Sequence, residues 1–448
     1  MTQPSARRAP GPGIVPFIGH VIRHRLNFVD YLVELADHHG HLFSLPMAVP
    51  TFVIRDPADV KHLLVTNPLN YHKTGSLTVG EKLLGQGLVS SEEPLHGKER
   101  KVMQPIFHKS SIASFGEMMA GATERHIENW KDGDHLNIAE EMMHLTISIV
   151  GLSLFSIDLF HEGRELGNEF HRALKLVTRL QLLPPNPKWL TASLHRRYAE
   201  SIANIDVAMA KIISDRKALP PDQWPNDLLS MLLSARYEDG SAMPDKLVRD
   251  EVITIILAGH ETVANHLNWT WYLLSKHPEA HEKMAAEWEA VLGDRAPAIE
   301  DFGRLPYSNA VLAESMRLYP PAWTLARRAA GADRLPSGME IRPGDEFLML
   351  QYVSHRNPEW FPDPEAFRPE RFETGNKESI PKFAYYPFGM GPRYCIGEGF
   401  AKLEAMIVVV LMGRRFRFEM ARKGPVGKET LVTLRPRKGL PMIVRKRS

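Results

Sequence analysis

The chain has 448 residues, of which 44% are hydrophobic and 24% are charged, and its formal net charge at pH 7 is +2. This apolar content is enough for an ordinary buried core, and the charged content argues against intrinsic disorder. The nearly balanced charge gives no reason to expect a nucleic-acid partner. A single cysteine excludes an internal disulfide and suits a reducing cytoplasm. No linker or repeat interrupts residues 20–420, so we expect one domain over 1–448 with a Pro/Gly-rich N-terminal segment, 1–20.

The N-terminus carries Arg7, Arg8 and a Pro/Gly stretch at 10–13, where a membrane-anchored protein would have roughly twenty apolar residues. The longest apolar stretches that we identify, 252–258 and 405–412, are too short to span a bilayer and are typical of buried helices. We find no secretory signal. We therefore expect a soluble, cytoplasmic protein of the bacterial kind with no membrane anchor.

Helical periodicity covers most of the chain, and strand-like segments occur only near its two ends. Residues 42–45 and 51–54 predict a hairpin whose two strands are separated by Pro46 and Pro50. Further short strands are predicted at 340–341, 346–350, 431–434 and 442–444, and an irregular loop at 357–369. The pattern indicates a mainly α fold with small β-sheets.

His96 and Arg100 lie one helical turn apart in the sequence His-Gly-Lys-Glu-Arg. Two donors on one face of a helix suit a carboxylate-bearing ligand, because a guanidinium binds a carboxylate bidentately. Without a further motif, a solvated polar face would be the simpler explanation.

A long helix is predicted from about 244 to 277, with Ala258-Gly259-His260-Glu261-Thr262 near its middle. A mid-helix glycine costs about 1 kcal/mol of helix propensity and favours a local opening of the hydrogen-bond ladder. The acid and the hydroxyl that follow indicate a functional reason, although a glycine-flexed buried helix is also possible. We expect His260 to pack between helices rather than to bind a metal.

Glu314 and Arg317 are three residues apart on a helix that ends at Leu318-Tyr319-Pro320-Pro321. Such a pair is usually a surface ion pair worth a few tenths of a kcal/mol. The segment Phe367-Arg368-Pro369-Glu370-Arg371-Phe372 follows and supplies a second arginine.

Cys395 lies in the segment Phe-Gly-Met-Gly-Pro-Arg-Tyr-Cys-Ile-Gly, which starts at Phe388. Gly391 and Gly397 permit a tight loop whose N–H groups can turn toward the sulfur, and the apolar run after Cys395 predicts a helix. The helix dipole and these N–H groups are expected to lower the pKa of the thiol. One thiolate suffices as the axial ligand of a haem iron, but a buried structural thiol or an enzyme nucleophile would also fit a lone cysteine.

The cysteine segment matches the pattern Phe-x-x-Gly-x-Arg-x-Cys-x-Gly, and with the three earlier motifs the chain resembles a cytochrome P450. The resemblance implies the cytochrome P450 fold, with haem b (iron protoporphyrin IX) between the long distal helix and the helix after the cysteine. It implies that Cys395 ligates the iron, that Thr262 holds O2 and its water, and that Glu261 relays protons. The residues that it assigns to haem binding are His96, Arg100, Arg328, Arg393, Ala258 and Phe388.

Two of the haem-binding positions differ from the commoner family pattern or have a neighbour that could replace them. Many family members have Trp where His96 stands, and Arg327 is adjacent to Arg328 and is the alternative to it. The resemblance also implies that Glu314, Arg317 and Arg371 form a buried network that locks the loop holding the cysteine. Removing one member would leave an uncompensated buried charge and cost roughly 3 to 5 kcal/mol.

The activity implied is that of a haem-thiolate monooxygenase, which hydroxylates or epoxidises a hydrophobic molecule with O2 and two electrons. We find no flavin or nicotinamide domain, so the electrons are expected from a ferredoxin or flavodoxin with its reductase. Candidates for a basic docking patch are Lys98, Lys101, Lys109 and Lys402. A peroxide-dependent peroxygenase or an isomerase is the alternative, but such members typically lose the acid–alcohol pair that this chain retains. A non-catalytic haem sensor is the second alternative.

The substrate-contacting residues implied by the resemblance are mostly apolar: Leu88, Val89, Ala258, Ala322 with Trp323, Thr324, and Leu434 with Thr433. Such a lining predicts a fatty acid, terpene or steroid, and we see no carboxylate anchor. Residues 180–183 are a candidate lid segment. The C-terminal segment and the Ala-Gly-His-Glu-Thr helix look most like those of fatty-acid-hydroxylating members, which slightly favours lipids.

Overall fold

A computed structural model describes residues 9–23, 27–74, 82–159, 164–182 and 188–447. Helices dominate this part of the chain. In order they are α1 (Ile14–Arg23), α2 (Phe28–His39), α3 (Pro57–Lys61), α4 (Leu95–Met103), α5 (Lys109–Ser114), α6 (Gly116–Ile127), α7 (Ile138–Phe155), α8 (Arg164–Leu182), α9 (Lys188–Ala218), α10 (Leu228–Ser234), α11 (Asp245–Lys276), α12 (Pro278–Leu292), α13 (Pro306–Leu318), α14 (Gln351–Ser354) and α15 (Glu398–Arg415).

Helix α11 is the central element of the core and confirms the helix predicted from 244 to 277. It is buried on almost every side, and buried polar residues such as Asp250, Glu251 and Asn265 hydrogen-bond to other parts of the chain. The helix is continuous through Gly259, so the predicted local opening does not interrupt it. A Cβ at Gly259 would lie 3.0 Å from Val150 of α7, so the glycine instead allows two helices to pack closely.

Helix α7 is the partner of α11, and our sequence reading passed over it. Its 18 residues have a mean hydropathy of 1.4, which makes it the one helix among the described residues that is long and apolar enough to cross a membrane. However, 67% of it is buried inside the protein. Thr146 on this helix donates a hydrogen bond to the carbonyl of His260 at 3.0 Å. These contacts are those of a core helix.

The strands are β1 (Leu42–Leu45), β2 (Thr51–Ile54), β3 (Tyr71–His72), β4 (His135–Asn137), β5 (Leu325–Ala329), β6 (Asp333–Arg334), β7 (Glu340–Ile341), β8 (Glu346–Met349), β9 (Phe416–Met420), β10 (Lys428–Thr430), β11 (Leu434–Pro436) and β12 (Pro441–Lys446). The largest sheet has five strands in the order β1-β2-β8-β5-β3. The predicted hairpin is confirmed: β1 and β2 are antiparallel, with Leu42 opposite Ile54. Small sheets among many helices confirm the predicted fold class.

Two predictions about strands are wrong: that residues 431–434 form a strand, and that strands occur only near the two ends of the chain. Residues 431–433 connect β10 to β11 instead of forming a strand, because the antiparallel register pairs Thr430 with Leu434. Strand β4 lies in the middle of the chain and pairs with β12 near the C-terminus. Its three residues, His-Leu-Asn, are too few to show the alternation by which a strand is recognised in a sequence.

Candidate functional site

The segment before α15 folds into a tight loop around Cys395. The Cys395 amide donates to the carbonyl of Phe388 at 3.0 Å. Gly391 has φ of +66°, and a Cβ there would lie 2.0 Å from the carbonyl oxygen of Leu64, so only glycine fits. The Gly397 amide hydrogen-bonds the sulfur. The loop therefore presents the sulfur close to the first turn of a long buried helix.

The exposure of Cys395 and the pKa of its thiol indicate different surroundings. The residue is exposed, yet burial among protein atoms is the main cause that raises the pKa of its thiol. Both hold if the sulfur borders open space that protein encloses, as in a binding cavity. The expected lowering of the pKa is wrong for the protein without a metal, because burial outweighs the Gly397 amide and the charge of Arg100. A metal cation at the sulfur would reverse this balance.

The middle of α11 borders open space in the same way. Ala258 is exposed, although Leu257 and His260 beside it are buried. The Thr262 hydroxyl donates to the Ala258 carbonyl at 2.6 Å. His260 bonds the carbonyl of Ile256 through Nδ1 at 2.8 Å, as expected of a packing histidine. One residue on the face of a buried helix is thus left uncovered.

Glu261 is held by the C-terminal part of the chain. Its Oε1 accepts a hydrogen bond from the hydroxyl of Thr433 at 2.8 Å. Asn265, one turn along α11, donates to the same hydroxyl at 3.0 Å. The connection 431–433 between β10 and β11 is therefore fixed beside the acid–alcohol pair.

The segment after α13 links that region to the cysteine loop. Trp323 donates from its indole to the carbonyl of Leu431 at 3.0 Å. Two residues later, Leu325 lies 3.8 Å from the position of a Cβ on Gly389. One short segment thus reaches from the neighbourhood of Glu261 to the cysteine loop, and the two motifs flank the same part of the molecule.

A cluster of cations surrounds the cysteine loop. Arg100 donates to the carbonyl of Tyr394 at 2.7 Å. Arg393 and Lys73 both donate to the carbonyl of Ser91, at 2.5 and 2.9 Å. Arg393 also forms an ion pair with Glu92. These contacts bring Lys73, which our sequence reading missed, beside two of the predicted residues.

The charges in this cluster repel one another. Burial and the neighbouring Arg393 lower the pKa of Lys73 to about 7 and the pKa of Arg327 to about 10. The same two causes lower the pKa of His96 to about 4, although Glu93 Oε1 accepts a hydrogen bond from its Nδ1 at 3.1 Å. A group of half-buried cations with too few anions fits a ligand that carries carboxylates.

Arg327, and not Arg328, belongs to this cluster. Arg393 and Glu92 both act on Arg327 electrostatically. Arg328 has a side chain 44% exposed and pairs with Glu346 at 2.9 Å on the sheet surface. Successive side chains of β5 point to opposite faces of the sheet, so only one of the two can face the cysteine loop. This geometry favours Arg327 over the predicted Arg328 as the contact for a haem propionate.

The structure brings Glu314, Arg317 and Arg371 together. The Arg317 guanidinium donates to both oxygens of Glu314, at 2.7 and 2.8 Å, and both side chains are 0% exposed. Arg371 approaches Glu314 at 3.4 Å. Arg317 also donates to the carbonyls of His355 and Pro364, so the network holds the long irregular loop that precedes the cysteine loop.

The predicted substrate residues divide into two groups. Val89 is 42% exposed, and Ala322, Trp323 and Thr324 are partly buried around the segment just described. Leu434 is 0% exposed and packs in a core cluster with Val29 and Tyr352. It is therefore not a pocket residue, because its position in β11 turns it to the core.

Val432 takes the place of Leu434 as the candidate from this hairpin. It is 51% exposed and precedes Thr433, which is bound to Glu261. The hairpin register makes 431–433 a turn, and this turn leaves Val432 exposed while Leu434 begins the strand. Leu88, by contrast, is only 8% exposed.

Two further predictions concern a lid segment and a docking surface. Of the candidate lid 180–183, Leu180 is 7% exposed in the core, and residue 183 lies outside the described residues. The lysines of the predicted docking patch are all exposed. Lys402 pairs with Glu398 at 2.7 Å and lies 5.6 Å from the ring centre of Phe388, whereas Lys101 pairs with Glu238 at 2.8 Å.

The residues present fit a haem. The chain offers an exposed cysteine, an uncovered Ala258 on α11 and, among the described residues, more cations than anions around the cysteine loop, which suit an axial thiolate, a flat ring and two propionates respectively.

Comparison with known proteins gives a consistent result. A sequence model described as cytochrome P450 matches residues 9–441. Cyclooctatin synthase from Streptomyces melanosporofaciens is 32% identical over 419 residues, which is 92% of this chain and 90% of that protein. Pentalenene oxygenase from Streptomyces avermitilis is 27% identical over 97% of this chain and 96% of that protein. The crystal structure of the cytochrome P450DA heme domain superposes with a TM-score of 0.89 at 26% identity, covering 99% of this chain and 98% of that chain.

Proposed function

The chain belongs to the cytochrome P450 family and is a P450 monooxygenase, and from that premise we propose that it hydroxylates or epoxidises a terpene. Two relatives have names built on cyclooctatin and pentalenene, which are terpene skeletons. The observation that carries the proposal is the uncovered Ala258 beside Glu261 and Thr262, together with the exposed apolar Val432, whose neighbour Thr433 is bound to Glu261. These groups suit a substrate that is held by shape and apolar contact.

A fatty acid is the competing substrate class. Fatty acids carry a carboxylate, and binding one in a pocket favours a cation or several donors near that group. The candidate pocket residues among the described part of the chain supply only apolar side chains and threonine hydroxyls. This lining supports a terpene over the fatty acids that the sequence motifs favoured.

The family requires a haem, O2 and a redox partner, and we propose haem b and a ferredoxin or flavodoxin with its reductase. A bound haem supplies the O2 chemistry, and a thiolate axial ligand favours O–O cleavage. The protein supplies the rest. Arg100, Arg327 and Arg393 would hold the propionates, and Ala258 leaves room for the ring.

Proton delivery is the proposed role of the acid–alcohol pair. The Thr262 hydroxyl donates to the Ala258 carbonyl, so its lone pairs can accept a hydrogen bond from a proton-carrying group on the open side. Glu261 is fixed by Thr433, which places a carboxylate one residue away on the same helix. The exposed Lys98, Lys109 and Lys402 support docking of an acidic redox protein.

The experiment is a substrate screen with the purified holoenzyme. Cyclic terpenes and fatty acids of similar size are compared for the spectral shift that substrate binding causes, and then for product formed with NADPH, a ferredoxin and its reductase. We expect oxygenated product from at least one terpene and weaker turnover of the fatty acids. Turnover of fatty acids alone would contradict the proposed substrate class. Product formed equally well with peroxide and no redox partner would favour the peroxygenase. The single domain and the cytoplasmic location remain predictions.

A further inference from the structure

Two glutamates from distant parts of the chain meet in the protein interior. Glu99 lies on α4 and Glu251 on α11, and both are 0% exposed. The Ser91 hydroxyl donates to Oε2 of Glu99 at 2.6 Å, and the Leu88 amide donates to Oε2 of Glu251 at 3.1 Å. The other oxygen of each carboxyl group is buried and has no donor among the described residues.

A hydrogen bond between the two carboxyl groups would give these oxygens a partner. The carboxyl groups are in hydrogen-bonding contact, but an ionised carboxylate only accepts hydrogen bonds. A hydrogen bond between them therefore requires at least one proton. Two buried carboxylates at such a distance do not both ionise near neutral pH, because their charges repel in a medium of low dielectric constant.

The surrounding charges agree with a shared proton. Burial is the first cause that raises the pKa of Glu99 to about 7 and the pKa of Glu251 to about 9. Asp250 raises both, and Lys73 opposes the rise at Glu99. Tyr237 has a buried hydroxyl with no hydrogen-bond partner among the described residues, and its pKa is raised by burial and by both glutamates.

The pair anchors the loop 85–92, which lies between α4 and α11. Ser91 and Leu88 bond the two glutamates directly, and the loop lies so close to α11 that a Cβ on Gly87 would be 2.2 Å from the Thr254 hydroxyl oxygen. Leu88 and Val89 are its candidate substrate residues. The loop thus transmits any movement between the two helices to the pocket wall.

We propose that Glu99 and Glu251 are positioning residues that share one proton and fix the loop 85–92, so that ionisation of the pair at alkaline pH loosens the loop and weakens substrate binding. The inference rests on the proposed function, because it assigns Leu88 and Val89 to the pocket. It concerns their placement and not the oxygen chemistry.

The direction of the pH effect follows from linkage. The unfolded chain loses both protons above about pH 4.5, whereas the folded pair keeps two protons up to about pH 7 and one shared proton from about 7 to about 9. Their contribution to stability is therefore complete at low pH and declines as pH rises. The last part of the decline, between about 7 and about 9, is where the pair itself ionises.

The first test is probe binding by the holoenzyme, with phenylimidazole as a ligand that fills the pocket over the iron. We expect the dissociation constant of the wild type, expressed for the neutral probe, to rise about tenfold between pH 7 and pH 10, which corresponds to one pKa unit of coupling. In Glu251→Gln the amide still accepts from Leu88 and donates to Glu99, so the rise should fall below about twofold. Glu251→Leu should bind weakly at every pH.

Asp250→Asn is the matched control. Asp250 accepts from the Gln86 amide in the same loop, but it is paired with Arg249 and Lys246 and shares no proton. Its loss should weaken binding at all pH values and keep the full size of the pH-dependent rise, with the midpoint moved to lower pH because Asp250 raises the pKa of both glutamates. Effects of pH on the iron itself appear equally in this variant. A wild-type pH profile in Glu251→Gln would overturn the proposal.

The second test does not depend on substrate or redox chemistry. Hydrogen exchange of a peptide containing 85–92, corrected for the intrinsic effect of pH, should become about tenfold faster in the wild type over this range and stay constant in Glu99→Gln. Equal protection of this loop in the wild type at both ends of the range would also overturn it. Failure of the proposed function, for instance the absence of any terpene product, would leave this exchange result unchanged.

Discussion

Glu314→Gln should destabilise the holoenzyme more than any other single change in the loop network. The carboxylate accepts two short hydrogen bonds from Arg317, and both side chains are 0% exposed. The variant keeps the shape of the side chain and removes its charge, so the guanidinium is left with only carbonyl partners. Breaking a buried ion pair on one side typically costs 3–5 kcal/mol, and we expect about that loss in the free energy of unfolding.

The network predicts an order of effects as well as a size. Arg371 is 10% exposed at its side chain and lies 3.4 Å from Glu314, so Arg371→Met should cost less, about 1.5–3 kcal/mol. The control is Glu365→Gln. Glu365 pairs with the buried Arg356 but is itself 69% exposed, so its loss should cost about 1 kcal/mol or less.

Urea unfolding followed by far-ultraviolet circular dichroism measures all three variants under the same conditions. The absorption of the bound haem, recorded in parallel, reports whether the cysteine loop loses the cofactor before the helices unfold. We expect early loss of haem in Glu314→Gln only. A loss below about 1 kcal/mol, equal to that of Glu365→Gln, would refute the reasoning that this pair locks the loop.

Three further predictions concern single residues. Thr262→Ala should bind haem normally but form less product per NADPH and more peroxide, since proton delivery typically contributes roughly 10²- to 10⁴-fold; unchanged coupling would make it a plain helix residue. Arg327→Leu should transfer haem to apomyoglobin about tenfold faster, whereas Arg328→Leu should not, because one charge-assisted bond is worth about that factor; the reverse result would restore the original assignment. Glu404→Gln should remove part of the fall in stability above about pH 4.5, because burial raises the pKa of Glu404 well above its ordinary value and its folded form keeps a proton that the unfolded chain loses; an identical slope in both proteins would contradict this prediction.

The features that the sequence predicted correctly are set by local chemistry. Pro46 and Pro50 mark the turn of the β1–β2 hairpin, and the cysteine loop requires glycine at fixed positions such as Gly391. Helix α11 combines an apolar run with a length that only a helix accommodates. Each of these depends on residues close together in the chain.

The features that it missed depend on partners far away in the chain. Whether Arg327 or Arg328 faces the cofactor is decided by how β5 pairs with β8, and Leu434 is turned to the core by its register with Thr430. Helix α7 has apolar residues on all sides, so it lacks the periodicity by which an amphipathic helix is recognised. Glu99 and Glu251 are in contact although they lie 152 positions apart in the sequence. No pattern within either segment indicates it.

The central claim is that the sulfur of Cys395 is the axial ligand of a haem iron. The most direct measurement is the absorption spectrum of the reduced, CO-bound protein, recorded for the wild type and for Cys395→Ala, Cys395→Ser and Cys395→His. The account predicts the red-shifted CO band of the family in the wild type and its loss in all three variants, because the chain has no other cysteine. A variant that retained this band would contradict the assignment of the site.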